Sequence, residues 1–310
     1  MVTQALLDAA RSGLAVGPVQ RRALLRATGK DTRDYLHRMS TQAVNGLAPG
    51  QTTYACFLTA KGHLLGEGHL LGLEDGVLLD LDPLALAQTR EPLEKFVIMD
   101  EVAFEDLSES HAVVPLLGAR AEAAAAALPG GAGLALRNGR RGAPGLDLVR
   151  PAKEAEAVRA ALLAAGAEAL DETALEALRI LGGFARFGAD MDATRLPMEA
   201  ALTTSAIAFG KGCYTGQEVV LRATQRGQIQ KGLVQLALPD GAAPGVKLSA
   251  AGVEVGVVTS AAETPEGRVG LGYLRRAHWA VGARLAVLGG GGEAVVRRVL
   301  VEEPAATPAL

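Results

Sequence analysis

The sequence predicts an α+β protein that ends in a small antiparallel β-barrel. Two observations lead to this prediction. In the first part of the chain, strand-like and helix-like segments alternate in the order ββαβ, which favours an α+β sandwich of the ferredoxin-like type. From about residue 228, short strand candidates follow one another without helices and are divided by Gly, Pro and Asp. This second pattern is typical of a small barrel.

The individual elements follow from hydrophobic periodicity. Residues 19–27 predict a strand, and apolar residues at helical spacing predict a helix within 30–41. Hairpin turns are expected at Lys61-Gly62 and Asp75-Gly76, between apolar and partly alternating segments. The segments that follow predict, in order, a helix over 84–96, strands over 97–107 and 112–118, and helices over 118–128, 153–165 and 172–181.

The change of pattern near residue 228 predicts a domain boundary. We expect residues 1–227 to form two α+β subdomains, one of them interleaved near 51–165, and residues 228–310 to form the barrel. No repeat of 20–50 residues is visible.

The composition is that of a globular protein with a large core. Hydrophobic residues make up 49% of the 310 residues and charged residues 21%, so disorder is not expected. The net charge of −3, from 31 Lys and Arg against 34 Asp and Glu, argues against a generally basic surface. We therefore expect no direct binding to nucleic acid.

Cysteine usage and the N-terminal residues indicate a cytoplasmic protein without a membrane partner. Two cysteines cannot form a disulfide framework. Residues 1–13 include Asp8 and no long apolar run, unlike a signal peptide. No window reaches the ~18 uninterrupted apolar residues of a membrane span.

A resident metal site is not expected. None of the histidines has ligand spacing with either cysteine. His63 and His69 would share one face of a strand, which we interpret as a solvated surface. Cys56 lies in an apolar strand, where core packing is the better interpretation.

Residues 208–222, AFGKGCYTGQEVVLR, place Cys213 among three glycines, close to Lys211 and ahead of a helical pattern. The positive end of a helix and a nearby lysine both favour a thiolate, which is the form that attacks electrophiles or binds metal. The glycines would allow sharp turns or close approach to a ligand. The same features also fit an ordinary helix start with a small buried cysteine, and residue chemistry alone leaves both interpretations open.

Two S/T-x-x-E spacings predict capping boxes. Thr215 with Glu218 would cap the helix after Cys213, and Thr173 with Glu176 would cap the helix over 172–181. Glu218 is also placed to pair with Arg222 at i, i+4.

The octapeptide KGCYTGQE at 211–218 resembles the signature K-G-C-Y-x-G-Q-E of the YgfZ family. These are folate-binding proteins related to the T-protein (aminomethyltransferase) of the glycine cleavage system, also called GcvT. Residues 29–65 resemble the early region of that family. A second T-protein pattern would fall on Arg179, Gly183, Gly188, Asp190, Met191, Asp192 and Pro197. The resemblance implies a GcvT/YgfZ-like arrangement of three domains around a central opening that binds folate.

The sequence departs from T-proteins at the acids associated with aminomethyl transfer. Their T-N-D-V stretch is Thr41-Gln42-Ala43-Val44 here, without a carboxylate. Acidic residues follow their strand turn, whereas here Glu67 is shifted beyond Gly66. Their G-Y-T-G-E segment corresponds to residues 141–145, which lack a glutamate. Aminomethyl transfer needs a placed carboxylate, so the exchange of acids for a thiol points away from that reaction.

The resemblance implies an accessory factor that binds tetrahydrofolate and serves the assembly or repair of iron–sulfur clusters, including those of tRNA-modifying enzymes. Its partners would be iron–sulfur client enzymes or assembly proteins. Cys213 would be the key thiol, helped by Lys211. Since a cluster normally needs four ligands, contact would be transient or shared with a partner. The residues expected to shape the folate site are Gly212, Tyr214, Gly216, Gln217, Glu218, Arg222 and Arg226, with Asp190 contacting the pterin.

Two alternatives remain open at the level of sequence. The first is a true folate-dependent aminomethyltransferase of the T-protein type, which would make the protein an enzyme. The second is a folate-binding scaffold in which the Cys213 motif is only structural.

Overall fold

The computed structural model describes residues 2–225 and 229–301. The helices are α1 Gln4–Ser12, α2 Thr32–Met39, α3 Leu86–Lys95, α4 Ala121–Ala126, α5 Ala152–Ala164, α6 Glu172–Gly182, α7 Thr203–Ala206 and α8 Gln217–Gln225. The strands are β1 Ala15–Val16, β2 Ala23–Thr28, β3 Thr52–Leu58, β4 Leu64–Gly72, β5 Gly76–Leu81, β6 Ala103–Asp106, β7 His111–Leu117, β8 Leu134–Arg137, β9 Gly145–Pro151, β10 Glu168–Ala169, β11 Lys231–Ala237, β12 Lys247–Ala250, β13 Val253–Thr264, β14 Gly267–Arg275, β15 Arg284–Val287 and β16 Glu293–Val299. Over these two ranges, no helix combines the length and the apolar character needed to cross a bilayer.

The first sheet has the strand order β3-β4-β5-β2-β6 and is antiparallel. Helices α2 and α3 cover one face, where Tyr35, Leu36 and Leu93 pack with Phe57. Both predicted hairpins are confirmed, since β3–β4 and β4–β5 are joined by short turns at the expected positions. Gly62 in the first turn adopts a φ of +76°, a conformation that glycine takes without steric cost.

The connection after α3 differs from the prediction. Only Ala103–Asp106 of the expected strand over 97–107 pairs with the sheet. Residues 96–99, here called the apolar loop, lie on the surface instead, with Ile98 and Met99 82% and 92% exposed. The apolar run predicted a strand, but Ile98 and Met99 face solvent, whereas Val97 packs partly against the core of the first sheet.

The second sheet has the order β10-β1-β7-β9-β8. Its first strand pairs parallel with β10 and antiparallel with β7, so the whole first sheet, residues 23–106, is inserted in the chain between two neighbouring strands. Helices α4 and α5 cover the outer face. The two sheets meet through Leu24, Leu71, Leu78, Val113, Leu136 and Val149.

The C-terminal strands close into a six-stranded antiparallel barrel with the order β11-β14-β13-β12-β15-β16. Its interior is aliphatic and includes Val234, Leu236, Leu248 and Val258. The predicted α+β class with a C-terminal barrel is therefore confirmed.

Helix α6 lies between the second sheet and the barrel. Its N-cap is Asp171, whose side chain accepts a hydrogen bond from the Ala174 N–H. The predicted cap at Thr173 is wrong, because that residue already lies in the first turn. Aspartate is an equally good cap, and here it precedes the threonine.

Candidate functional site

The loop that carries Cys213, residues 210–216, is anchored on the end of α2. The Lys211 ammonium donates to the carbonyl oxygens of His37, Ser40 and Gln42, the last two at 2.7 and 2.8 Å. Carbonyl groups at a helix C-terminus lack partners within the helix and attract cations. Burial lowers the pKa of Lys211 to about 8. The contacts of its ammonium therefore hold the loop in place, and they are made to backbone oxygens.

Cys213 is exposed and lies in the loop between Lys211 and Tyr214, whose side chains contact each other. The Lys211 ammonium lies 5.0 Å from the centroid of the Tyr214 ring. Tyr214 is buried, and burial, together with the nearby Cys56, raises its pKa to about 12. Gly212 faces open space, since a Cβ added there would meet nothing within 4 Å. The loop thus presents the thiol to solvent.

Helix α8 begins at Gln217, and the residue directly before it is Gly216 with a φ of +83°. A Cβ at Gly216 would lie 2.7 Å from the Thr59 carbonyl oxygen, so the loop packs closely against the β3–β4 turn. The predicted N-cap at Thr215 is therefore wrong by one residue, because this packing decides where the helix starts.

Glu218 turns toward the next helical turn. Its carboxylate lies 2.6 Å from the Arg222 guanidinium, and both side chains are exposed. The predicted i, i+4 pair is confirmed. Arg226, also predicted as a ligand contact, lies outside the described residues.

Asp190 is buried where the segment after α6 meets the barrel. One carboxylate oxygen accepts from Arg179 Nη1 at 2.7 Å and from the Arg186 N–H at 3.1 Å. The other accepts from the hydroxyl groups of Thr259 and Ser260 at 2.5 and 2.8 Å. Four bonds use the acceptor capacity of a carboxylate. This geometry corrects the predicted pterin contact, since Asp190 joins the barrel to the rest of the chain and has no oxygen left for a ligand.

A cavity of about 490 Å³ lies at the other end of β3, beside the start of the β8–β9 loop and α6. On one wall the Tyr54 hydroxyl donates to the Glu67 carboxylate. The rings of Tyr54 and His69 lie 4.8 Å apart. Glu67 and His69 are both buried, so the expectation of a solvated surface for His69 is wrong.

Two buried ion pairs support this cavity. Arg22 lies 2.7 Å from Asp80, and Arg141 lies 2.7 Å from Asp147, which also accepts from Asn138 at 2.6 Å. Burial raises the pKa of Asp80 in spite of Arg22. For Asp147, burial is outweighed by Arg141 and Asn138, and its pKa lies below the usual range.

The remaining titratable groups on this wall are uncharged at neutral pH. Burial lowers the pKa of His69 to about 3, with Asp147 acting in the opposite direction. Burial raises the pKa of Cys56 well above its ordinary value, and the predicted core packing of Cys56 is confirmed. Besides its arginines, the lining of the cavity carries the carboxyl groups of Glu67, Asp82, Glu172 and Glu176.

The structure separates the predicted site residues from the cavity. Lys211, Gly212, Cys213, Tyr214 and Gly216 lie together in the 210–216 loop, which contacts the end of α2 through Lys211 and the β3–β4 turn through Gly216. No predicted binding residue within 2–225 lines the 490 Å³ cavity.

The wall of the cavity was not predicted from the sequence. In the β3–β4 register, Tyr54 pairs with His69 and Cys56 pairs with Glu67. Residues two apart on a strand share a face, so this face carries Tyr54, Glu67 and His69 together. The predicted hairpin at Lys61-Gly62 contained the signal, because counting back from that turn gives these pairs once the bulge near Leu58 is known.

A larger cavity of about 820 Å³ lies between the two sheets. Its walls include Leu71, Leu78 and Leu107, together with Arg26 and Glu105. It contains neither the thiol nor the Tyr54–Glu67 pair. Within residues 2–225 and 229–301, no three His, Cys, Asp or Glu side chains come together to hold a metal ion.

The fold resembles that of an aminomethyltransferase. The crystal structure of the glycine cleavage system aminomethyltransferase T from Bartonella henselae matches with a TM-score of 0.82 and 24% sequence identity, covering 97% of this chain and 91% of that one. This likeness confirms the predicted GcvT-like arrangement.

Curated relatives define the family more closely. The tRNA-modifying protein YgfZ of Vibrio vulnificus is 30% identical over 231 residues, which are 72% of this chain and 70% of that protein. A chloroplastic protein of Arabidopsis thaliana, named as a transferase, is 26% identical over 302 residues, 91% and 70% of the two chains. The mitochondrial iron–sulfur cluster assembly factor IBA57 homolog of Mycosarcoma maydis is 27% identical over 249 residues, 76% and 60%. No family model matches. The chain belongs to the YgfZ family, as the KGCYTGQE signature indicated.

Proposed function

We propose that this protein binds a reduced folate and assists the assembly or repair of iron–sulfur clusters in other proteins, including tRNA-modifying enzymes, with Cys213 as the key thiol. The observation that carries the proposal is the exposed thiol on a loop fixed by Lys211 and Tyr214. The relatives named for tRNA modification and for iron–sulfur cluster assembly support the same direction.

The thiol chemistry requires a partner. Iron binds the thiolate, so the S–H proton leaves as the iron–sulfur bond forms. A cluster is normally held by four ligands, and the chain's other cysteine, Cys56, is buried in the core. The cluster is therefore a substrate whose remaining ligands come from the partner protein.

A surface for such a partner lies close to the thiol. Arg38 pairs with Asp100 at 2.6 Å, directly after the apolar loop, and its carbonyl oxygen accepts from the Thr215 N–H at 3.4 Å. The exposed Ile98 and Met99 are thus connected to the Cys213 loop through Asp100 and Arg38. Neighbouring exposed apolar side chains mark interaction sites, and here they would seat the iron–sulfur protein beside Cys213.

The 490 Å³ cavity fits a reduced folate in size and chemistry. Small-molecule sites commonly have about 300–1,000 Å³. The arginines of the lining match the acidic tail of a folate. When bound, a reduced folate supplies the N5 nitrogen that carries one-carbon units. The chain's own residues bind the ligand and hold its orientation.

Complementation tests the role of the thiol. A strain that lacks its own family member would receive wild type, Cys213→Ala or Cys56→Ala, and the activity of an iron–sulfur enzyme would be measured. We expect wild type and Cys56→Ala to restore the activity and Cys213→Ala to fail, although its thermal unfolding midpoint is unchanged. Full restoration by Cys213→Ala would contradict the proposal. Titration with tetrahydrofolate tests the cavity separately, and Cys213→Ala should bind as wild type does.

One observation favours a second function. Glu67 supplies a buried carboxylate to the cavity, and a carboxylate is what aminomethyl transfer needs to stabilise a cationic intermediate. If the protein were a transferase of this type, it would form methylenetetrahydrofolate from an aminomethyl donor. Glu67→Gln would then abolish the reaction and Cys213→Ala would retain it, the reverse of the complementation result.

A further inference from the structure

The arginines that line the 490 Å³ cavity differ in how their charge is matched. Within the described part of the chain, five of the six have a carboxylate within 4.0 Å, and the sixth, Arg140, has none. The five pairs are Arg21–Glu109, Arg22–Asp80, Arg141–Asp147, Arg179–Asp190 and Arg186–Glu176.

Arg140 packs on two aromatic rings, although no carboxylate of the described residues pairs with it. Its guanidinium carbon lies 4.3 Å from the Tyr54 ring centroid and 5.0 Å from that of Phe184. Its backbone N–H donates to Asn138 at 2.9 Å. Nη2 donates to the Ala185 carbonyl oxygen at 3.4 Å. The two rings and the fixed loop restrict the rotamers of this half-buried side chain.

Most of the donor capacity of Arg140 is unused. A guanidinium has five N–H donors in one plane, and in the described structure one long bond, to Ala185, is the side-chain hydrogen bond that Arg140 makes. Aromatic rings near the cation contact its face and leave its edge for in-plane bonds. Such an edge matches the two oxygens of a carboxylate. Pre-ordered side chains also lose less entropy when the ligand arrives.

We infer that Arg140 is the binding site for a carboxylate of the ligand in this cavity, and that in a reduced folate this carboxylate belongs to the glutamyl end. The assignment rests on the proposed folate binding and fixes the direction of the ligand. The glutamyl end lies toward Tyr54 and Phe184, and the pterin lies toward the remainder of the cavity.

If Arg140 had only a structural role, its removal would affect ligand affinities differently. If the guanidinium only packs on Tyr54, its removal changes the wall of the cavity for every ligand. If it binds the glutamyl carboxylate, its removal affects only ligands that carry this group. Tetrahydropteroate, which lacks the glutamyl group, distinguishes the two roles.

The experiment is a calorimetric titration of wild type, Arg140→Gln and Arg140→Lys with tetrahydrofolate and with tetrahydropteroate. We expect wild type to prefer tetrahydrofolate by about 10- to 100-fold, the factor that a hydrogen bond to a charged group contributes. Arg140→Gln should lose this preference and bind tetrahydropteroate as wild type does. Arg140→Lys, which keeps the charge without the planar fork, should fall between them.

Arg137→Gln is the matched control. Arg137 lies three residues earlier, is exposed and pairs with Glu122 outside the 490 Å³ cavity, so the preference should persist. Thermal unfolding checks that each variant is folded. If Arg140→Gln does not fold, Arg140→Lys is the variant that is compared with wild type.

Two results would overturn the assignment while leaving folate binding intact. These are equal affinity of wild type for both ligands, or an equal loss of both affinities in Arg140→Gln. Failure of wild type to bind either ligand would overturn the proposed folate binding and, with it, this assignment.

Discussion

The two ends of β3 are built in different ways. Near Tyr54, charged groups are buried and paired, as in Arg22–Asp80 and Arg141–Asp147. At the other end, Gly216 packs the Cys213 loop against Thr59, the thiol is exposed, and Lys211 and Tyr214 fix the loop around it. A site with buried, oriented charges suits a small ligand of fixed shape. An exposed thiol on an anchored loop suits brief contact with another protein.

The two ends of β3 should therefore respond differently to mutation. Changes at the cavity end should appear mainly as lost stability, since they leave buried charges without partners. Changes at the Cys213 loop should appear mainly as lost function. Substitutions at each end test this division between stability and function.

Asp190→Ala, which removes a buried partner of the cavity-lining Arg179, should have the largest effect. Arg179 would keep its pair with Glu176 but lose the buried carboxylate at 2.7 Å. Breaking a buried pair commonly lowers the free energy of unfolding by about 3–5 kcal/mol, and urea denaturation measures the change. Glu254→Ala, at an exposed pair on the barrel, is the control and should change stability by less than about 0.5 kcal/mol. A similarly small change for Asp190→Ala would contradict the division.

His69 should make the protein sensitive to acid. Its pKa is about 3 in the folded protein because of burial, against about 6.5 in an unfolded chain. Between these pH values the imidazole is protonated in the unfolded state and neutral in the folded state. The contribution of His69 to the free energy of unfolding is therefore complete above pH 6.5 and is lost as the pH falls toward 3. The slope from this residue is up to about 1.4 kcal/mol per pH unit.

Unfolding of wild type and His69→Gln measured from pH 7.5 to 4.5 tests this effect. Below pH 6.5, the free energy of unfolding of the variant should fall less steeply than that of wild type. Above pH 6.5, the two free energies should change with pH in the same way. Identical slopes over the whole range would show that His69 does not carry the acid sensitivity.

Lys211→Met should loosen the Cys213 loop. Carbonyl oxygens at the end of α2 would lose their donor, which costs about 1–3 kcal/mol when buried acceptors are left unpaired. Hydrogen exchange should become faster near Ser40 and in residues 210–216, while the amides of the first sheet stay protected. Lys61→Met, an exposed lysine in the β3–β4 turn, is the matched control. Unchanged exchange in Lys211→Met would argue against the anchoring role.

Glu218→Ala should have the smallest effect on stability. An exposed i, i+4 pair contributes about 0.3–0.5 kcal/mol, so chemical denaturation should hardly distinguish the variant from wild type. This makes Glu218 a sensitive probe of function. Loss of iron–sulfur enzyme activity in cells at unchanged stability would assign Glu218 to the partner contact, and retained activity would leave it as a surface pair.

The sequence predicted the parts of the fold that depend on local pattern. Short strands divided by glycines gave the barrel, and Lys61-Gly62 gave a hairpin. The start of α8 was missed by one residue because close packing of Gly216 on Thr59 decides it, and no local pattern contains that contact.

The candidate site was predicted only at its thiol end. The motif around Cys213 is continuous in sequence and could be recognised there. The cavity combines Tyr54 from β3, Arg140 from the β8–β9 loop and Arg179 from α6, which are far apart along the chain. Asp190 was misassigned for the same reason, since its partners Thr259 and Ser260 lie in the barrel.

The insertion of the first sheet has a consequence for folding during synthesis. Strand β1 finds its partners only at residues 116–117 and 168–169, whereas residues 23–106 contain every strand of the first sheet and both of its covering helices. The N-terminus leaves the ribosome first. We therefore expect the insert to fold before β7 and β10 are available, so that β1, which is made before the insert, is paired after it.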